Sequence, residues 1–511
     1  MTYYQGLVDA WEIWNESDHG FALETAELYT AWYKAAVLGV LDADPNAIVS
    51  FGGLCQPDAN IDYMHMLFMN DVMEYSSIFN YHAHTPQGSD LPDFSRFAMV
   101  SGTYASLAHY NTQNKPVWLT EAGMKIMTET PSEKQKAEQA PYIVTSTVQS
   151  LAMGTEKHFW FILAPYLEAG GDFGTFGADF QPYPTLAAES TMTHVLGKAQ
   201  YLGELYDLPD RAYGYVFFNG SRAVSVLWSQ KKAVYSFAAE QPVIVTDIMG
   251  NQTLVQPENG KITLRLSTDP VFVTYSQVPN YQNKQYPEAQ IQSLQLGLGE
   301  RVVLSPNFEG YDINDPDTKH DGHIVDDGSK ITLYVTNFND TAVTGRVSVT
   351  VEGFTVTGCE QEITVPAMGR VELELTMHRN TDASVNTYMQ FRGEFNGEQT
   401  SSAVAHVHTN APEKELNVKF TTVQKNQKYG VEVLSNIGIR LGARSGEGVA
   451  YLNGSRWEGV RYDGTELTVD LSGLPEGRHT VACGIQTPEG DFVYTVFYVT
   501  YQNGVVTFAF S

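Results

Sequence analysis

Two glutamates stand where a pair of catalytic carboxylates would be built. Glu16 closes the run Trp11-Glu-Ile-Trp-Asn-Glu16, and Glu121 follows Pro116-Val-Trp-Leu-Thr120. Each ends a short apolar run and precedes a polar or glycine-containing turn, the place where a strand hands over to a loop. Two carboxyl groups flanking a scissile bond are what glycoside hydrolysis needs. One donates a proton to the leaving oxygen, while the other attacks the anomeric carbon or activates water. The gap from 16 to 121 spans about three strand–helix units, enough to carry the second carboxylate across the mouth of a closed barrel, where strand C-termini gather catalytic groups.

The elements that must position them alternate. Gly6 to Trp14 reads as a buried strand, Thr25 to Leu41 as a helix with Leu28, Trp32, Ala35, Ala36 and Val40 at helical spacing, and Ile48 to Phe51 as a second strand. Helical patterns over 61–75 and 94–110 bracket an extended Ile78 to His82. Pro116 to Thr120 is a fourth strand, 132–152 a helix, His158 to Leu163 a fifth strand, and 187–202 a last helix. Five strand–helix units in succession predict parallel strands with helical crossovers. From Ala212 the rhythm becomes short strands and turns such as Asn219-Gly220. A polar linker, Pro279 to Pro287, leads to further alternating strands with a boundary near Pro412. The spacing predicts β-sandwiches. The organisation expected is therefore 1–205 barrel-type, 206–278 a small β domain, and 288–410 and 411–511 two Ig-like modules.

Trp11-Glu-Ile-Trp-Asn-Glu16 resembles the strand-four motif of glycoside hydrolase clan A, and Val117-Trp-Leu-Thr-Glu-Ala-Gly123 its strand-seven motif. The resemblance implies Glu16 as acid/base, Glu121 as nucleophile and Asn15 on the sugar 2-hydroxyl. Asn80-Tyr-His-Ala-His84 is similar to the strand-six His-x-Tyr motif, so His82 and His84 are expected to support the carboxylates and sugar; His84 stands where the clan has Tyr. Trp160 corresponds to the aromatic floor under the sugar, although Phe159, Trp160 and Phe161 compete for the inward direction. The resemblance spans about residues 4–276 and includes the post-barrel stretch Gly177 to Ala188. It implies a partial (β/α)8 barrel, strands four to eight, followed by all-β domains. Strands one to three, roughly 100 residues of a barrel of ~250, would lie before Met1. The expectation is a truncated chain, inactive or poorly soluble alone.

A net charge of −28, from 59 acidic and 31 basic residues, leaves no basic patch for nucleic acid or an anionic membrane. A neutral carbohydrate is indifferent to that field. Apolar runs fall short of a membrane span, and three scattered cysteines do not make a disulfide framework. His82 and His84 share one strand face, a spacing that suits zinc, but no third His or Cys joins them at a strand end. Sugar contact is favoured, with no metal and no cofactor. Glu12 alternates with Ile13 and reads as a structural group, and Tyr166 and Glu168 are loop candidates for substrate contact. The acidic loop Asp312 to Asp317 with His320 and His323 reads as solvated, since Pro316 and Asp317 break a calcium-loop pattern. These features fit an extracellular or cell-surface bacterial glycosidase acting on β-linked glycans with retention. The rival readings are a non-catalytic carbohydrate-binding or adhesion protein with a degenerate barrel, and a metal-dependent hydrolase at the histidines.

Overall fold

The computed structural model describes all residues except 1, 5, 56–60, 88–108, 112, 286–288, 313–321, 383, 410–418, 429–430, 441–445, 453–454, 465, 472–473, 475–476, 487–491, 503–504 and 511. Residues 94–108 of the helix expected over 94–110, and most of the acidic loop, lie outside the described residues; His109 and Tyr110 are helical. The chain divides into two compact units, one of residues 1–80, 99–116 and 290–511, the other of 81–98 and 117–289.

The first unit opens with β1 (Ala10–Ile13), α1 (Ala26–Ala43), β2 (Ile48–Phe51) and α2 (Ile61–Met69). β1 and β2 pair in parallel, Ala10 opposite Ile48 and Ile13 opposite Phe51, as a strand–helix–strand unit must. Four residues of a 3₁₀ turn, Val72–Tyr75, stand where the sequence predicts continued helix. Helix α1 buries two stripes. Tyr29, Tyr33, Val37 and Val40 face the strands and α2 side, while Glu27, Ala31, Lys34 and Leu38 form the other stripe. Trp32, expected inside, is exposed. The second stripe has a partner: Ala31 and Leu38 pack with Val303, Leu296 and Phe338 from beyond residue 290.

That partner is a pair of sheets within 290–409, antiparallel except where His323–Ile324 pairs in parallel with Ala403–His408. One sheet orders Val302–Phe308, Lys330–Asn337, Gly369–Arg379 and Phe354–Thr357; the other orders His323–Ile324, Ala403–His408, Asn386–Phe395, Val343–Thr350 and Ile363–Val365. Their inward side chains, among them Leu304, Ile331, Leu333, Val335, Met389, Phe391 and Phe395, share one core. Period-2 alternation explains it, since one face of each strand is apolar. A second pair of sheets within 419–510 closes around Leu467, Val469, Val481, Cys483, Ile485 and Phe497. The cysteines are free.

The second unit takes up β3 (Phe79–Pro86, which begins in the first unit), β4 (Val117–Lys125), α3 (Glu133–Ala152), β5 (Thr155–Trp160), a hairpin of β6 (Leu167–Glu168) and β7 (Gly171–Asp172), and α4 (Pro184–Leu196). The sheet order is β3-β4-β5. β4 and β5 are parallel. The N–H of Phe79 donates to Pro116 O and that of Gln87 to Lys125 O, so β3 runs with β4 as well. Helix α3 starts on a capping box, Ser132 with Gln135, which satisfies two end N–H groups.

After α4 comes a seven-stranded sheet running from Gln200–Leu205 to Tyr281–Asn283 in chain order, with a two-stranded sheet of Ala233–Ala238 and Lys261–Leu266. It starts a few residues before the 206 boundary expected and ends beyond 278. Its central strand Ala223–Ser229 is buried at every position because both faces are covered. Val224, Val226 and Trp228 pack with α3 and α4, and Ala223 and Leu227 with the small sheet. Among the described residues no helix is long and apolar enough to cross a membrane.

Candidate active site

In the first unit, β1 ends in two left-handed residues, Trp14 at φ 75° and Glu16 at φ 41°. Non-glycine residues adopt this region rarely and at a cost, so neighbouring contacts must hold them there. The Tyr29 hydroxyl donates to Ile13 O and accepts from the Gly52 N–H, both at 3.0 Å, tying the ends of β1 and β2 to α1. Burial pushes that phenol well above the ordinary range, so it stays a neutral donor. Gly52 admits the turn: a Cβ there would stand 3.0 Å from Asn15 N and Trp14 C. Glu12 accepts from the Gly53 N–H at 2.7 Å and Asp18 accepts from Cys55 N–H, so two carboxylates fasten the loops around Glu16. Glu16 is buried, Asn15 half-buried.

In the second unit, His82 and His84 point from one face of β3 toward Glu121 on β4. Glu121 Oε2 lies 3.7 Å from His82 Nδ1 and 3.4 Å from His84 Nε2. The β4–β5 register slips between Leu119–His158 and Ala122–Trp160, three residues against two, which places an irregularity at Thr120 and Glu121. Such a bulge re-aims a side chain and is common beside active sites. The strand then continues to Lys125, longer than the expected Pro116–Thr120.

Trp160 is not brought to this group. His158 Nδ1 contacts Ser150 Oγ on α3 at 2.9 Å, and the Trp160 ring lies 6.0 Å from that of Tyr142, also on α3. Residues two apart share a strand face, so Trp160 belongs to the core under the helix, with Ile143 and Val144. Burial there takes His158 down to about 3, so it is neutral. The aromatic beside the histidines is Phe161, 5.2 Å from His84 and 5.5 Å from Phe173, itself 5.3 Å from His84. Tyr166 stands edge-on to Phe161 at 5.3 Å, while Glu168 is exposed in the β6–β7 hairpin.

Positioning groups that the sequence reading passed over lie behind β4. Buried Gln139 on α3 donates to Met124 O and accepts from Thr185 on α4. Tyr142 bonds Thr85 of β3 at 2.6 Å. Gly123 sits so close to Phe161 that a Cβ would be 1.9 Å from its carbonyl oxygen. A polar residue amid the apolar face of a helix, and a glycine after a candidate catalytic residue, are the sequence signals that mark them. The histidines and Glu121 supply two imidazoles and a carboxylate, a set able to orient a nucleophile or to ligate a metal.

No family model and no curated protein matches the sequence. The structure is similar to those of glycoside hydrolases. A family 39 enzyme from the gut symbiont Bacteroides cellulosilyticus WH2 is 17% identical with a TM-score of 0.41, over 53% of this chain and 59% of that one. A glucosidase from Croceicoccus marinus is 12% identical at 0.42, over 53% and 69%. A family 86 β-porphyranase from Bacteroides plebeius is 10% identical at 0.39, over 79% of each chain. The chain thus spans less than two thirds of the length of the first of these.

Proposed function

We propose that this protein hydrolyses O-glycosidic bonds in β-linked oligo- or polysaccharides with retention of configuration, residues 1–205 supplying strands four to eight of a (β/α)8 barrel. The observation that carries the reading is the Glu121 carboxylate, about a quarter exposed at an irregular point of β4 with two imidazoles of β3 on one oxygen. Glu121 attacks the anomeric carbon through Oε1 or Oε2 as the glycosidic C–O bond breaks. Glu16 gives its proton to the leaving oxygen. Water then attacks the resulting ester, passes a proton to Glu16 and frees Glu121. Asn15 hydrogen-bonds the sugar 2-hydroxyl, His82 and His84 hold the nucleophile's rotamer, and Phe161, in place of Trp160, offers the ring for the sugar's apolar face. The reading requires the two carboxyl groups ~5–5.5 Å apart with substrate bound. The acidic charge and the β modules fit an extracellular, bacterial setting.

Turnover of aryl β-glycosides by the full-length gene product tests this. Glu16→Gln is expected to lower kcat ~10²–10⁴-fold, the range for lost acid/base assistance, with leaving groups of low pKa suffering least. Glu121→Gln is expected to abolish turnover. Nuclear magnetic resonance of the first-formed anomer reads the stereochemistry, and an inverted product refutes the double displacement. A protein that only binds glycans would retain binding in Glu121→Gln and show no turnover to lose.

A further inference from the structure

His82, His84 and Glu121 also meet the requirements of a metal site, and the sequence conceals this because the third ligand is a carboxylate one strand away from the histidines. His82 offers Nδ1 and His84 offers Nε2, each facing the same oxygen, Glu121 Oε2, at 3.7 and 3.4 Å. The candidate ligand atoms of the trio all lie within 4.8 Å of one another. Ligands bound tetrahedrally at the usual zinc distances of ~2.0–2.2 Å are ~3.3–3.5 Å apart. The two spacings to Glu121 Oε2 lie within tenths of an ångström of that geometry, and the two imidazole ligand atoms lie within 4.8 Å of each other. Two histidines and one glutamate are a donor set that zinc accepts, whereas hard ions such as magnesium and calcium prefer oxygen ligands.

The surroundings limit the strength of such a site without removing it. The His82 side chain is almost fully buried, and those of His84 and Glu121 are about a quarter exposed, which leaves a path for an ion from solvent. Phe161 and Phe173 press on the His84 ring from two sides and restrict its turning. Nδ1 of His84, however, is buried with no hydrogen-bond partner among the described residues. A metal-ligating imidazole gains basicity and orientation by donating its other N–H to an acceptor, and losing such a partner costs 10–100-fold in affinity. These features describe a reversible site.

We propose that His82, His84 and Glu121 bind one zinc ion, and that the bound ion holds the carboxylate of Glu121 and switches off the site. The inhibitory part rests on Glu121 being the nucleophile; metal uptake does not. Zinc on Oε2 fixes the rotamer of Glu121 and withdraws charge from both of its oxygens, so Oε1 becomes a much weaker nucleophile toward the anomeric carbon. No bond is broken and nothing is oxidised, so a chelator restores the free carboxylate.

The test titrates zinc chloride into the purified, metal-free 511-residue chain, by calorimetry and by competition with a chromogenic chelator. One ion per chain is expected. His84→Gln and Glu121→Gln, checked for folding by circular dichroism, should each weaken uptake at least tenfold, and cobalt(II) should give a visible band that both variants lose. Uptake by His84→Gln as tight as that of the unaltered chain overturns the site. In the full-length gene product, zinc should inhibit aryl-glycoside turnover and chelator should reverse it. Full activity with the site saturated overturns the switch. Absence of turnover from chelator-treated protein overturns the glycosidase reading instead, and the zinc titration still decides the metal site.

Discussion

Phe161 and Trp160 are adjacent and face opposite ways, so they separate substrate contact from packing. Phe161 lies against His84 and Phe173, and Trp160 lies against Tyr142 and the α3 core. Phe161→Ala is expected to raise KM for aryl glycosides about tenfold, an energy near the ~0.5–1.5 kcal/mol of an aromatic contact, with little change in thermal stability. Trp160→Leu should leave KM unchanged and lower stability by ~1–3 kcal/mol through the space it leaves in a packed interior. A rise of KM in Trp160→Leu alone would reverse the two roles. Glu16, Glu121, His82 and His84 could be read as candidates from the sequence, because polar residues at the ends of apolar runs have few reasons to be there. The inward aromatic could not. Three aromatic residues in a row fit either parity of a strand, and only the contacts of His158 and Trp160 with α3 fix which one faces the site.

At the scale of elements, β4 carries Glu121 on a strand squeezed against the end of β5. Gly123 marks the squeeze: a methyl group there would come within 1.9 Å of the Phe161 carbonyl oxygen, a backbone atom that cannot swing aside. Gly123→Ala should therefore cost more than the usual ~1–3 kcal/mol of an overpacked core position. It should also lower kcat, because Glu121 is two residues away and its position follows the strand. Gly39, in α1 with nothing within 4 Å of its would-be Cβ, is the control. Gly39→Ala should stabilise by ~0.5–1 kcal/mol through helix propensity and leave kcat alone. Urea unfolding and steady-state kinetics on both variants check this. Equal loss of stability in the two would show that the close approach is not real. The strand ends came out of the sequence to within a few residues, since β-branched and aromatic runs stop at turn residues. The extension of β4 to Lys125 did not, because it depends on pairing with β3 through Gln87 and Lys125, a partnership no local pattern records.

On the scale of the whole molecule, the sequence separates the first strand–helix repeats from the residues after 290, whereas within the first unit they share an interface. Glu27 meets His323 Nε2 at 2.6 Å with both side chains almost fully buried. Asn70 exchanges two hydrogen bonds with Val404. Lys34 donates to Ser402 O at 2.8 Å and to Ser401 Oγ at 3.0 Å, with its Nζ 5.3 Å from the centre of the Tyr75 ring. The stripe Glu27, Ala31, Lys34, Leu38 was illegible because charged residues at helical spacing ordinarily mark a solvated face. Burial lowers Lys34 from 10.5 to about 8, against which Asp71 pulls upward. Its folded value is below its unfolded one, so between about pH 8 and 10.5 the unfolded chain holds the extra proton. Stability should therefore rise with pH through that window. From pH 7.5 to 9.5 the gain is on the order of 1–2 kcal/mol, as a tenfold change in proton affinity is worth ~1.4 kcal/mol. The buried tyrosines Tyr33 and Tyr75, raised by burial, act in the opposite sense only above pH 10. Lys34→Met should abolish the rise while keeping the fold, and subtracting the two chains' unfolding free energies at each pH cancels every other group that titrates. A difference that stays flat from pH 7.5 to 9.5 would mean that Lys34 is hydrated, and that the face of α1 toward residues 290–409 is open to water.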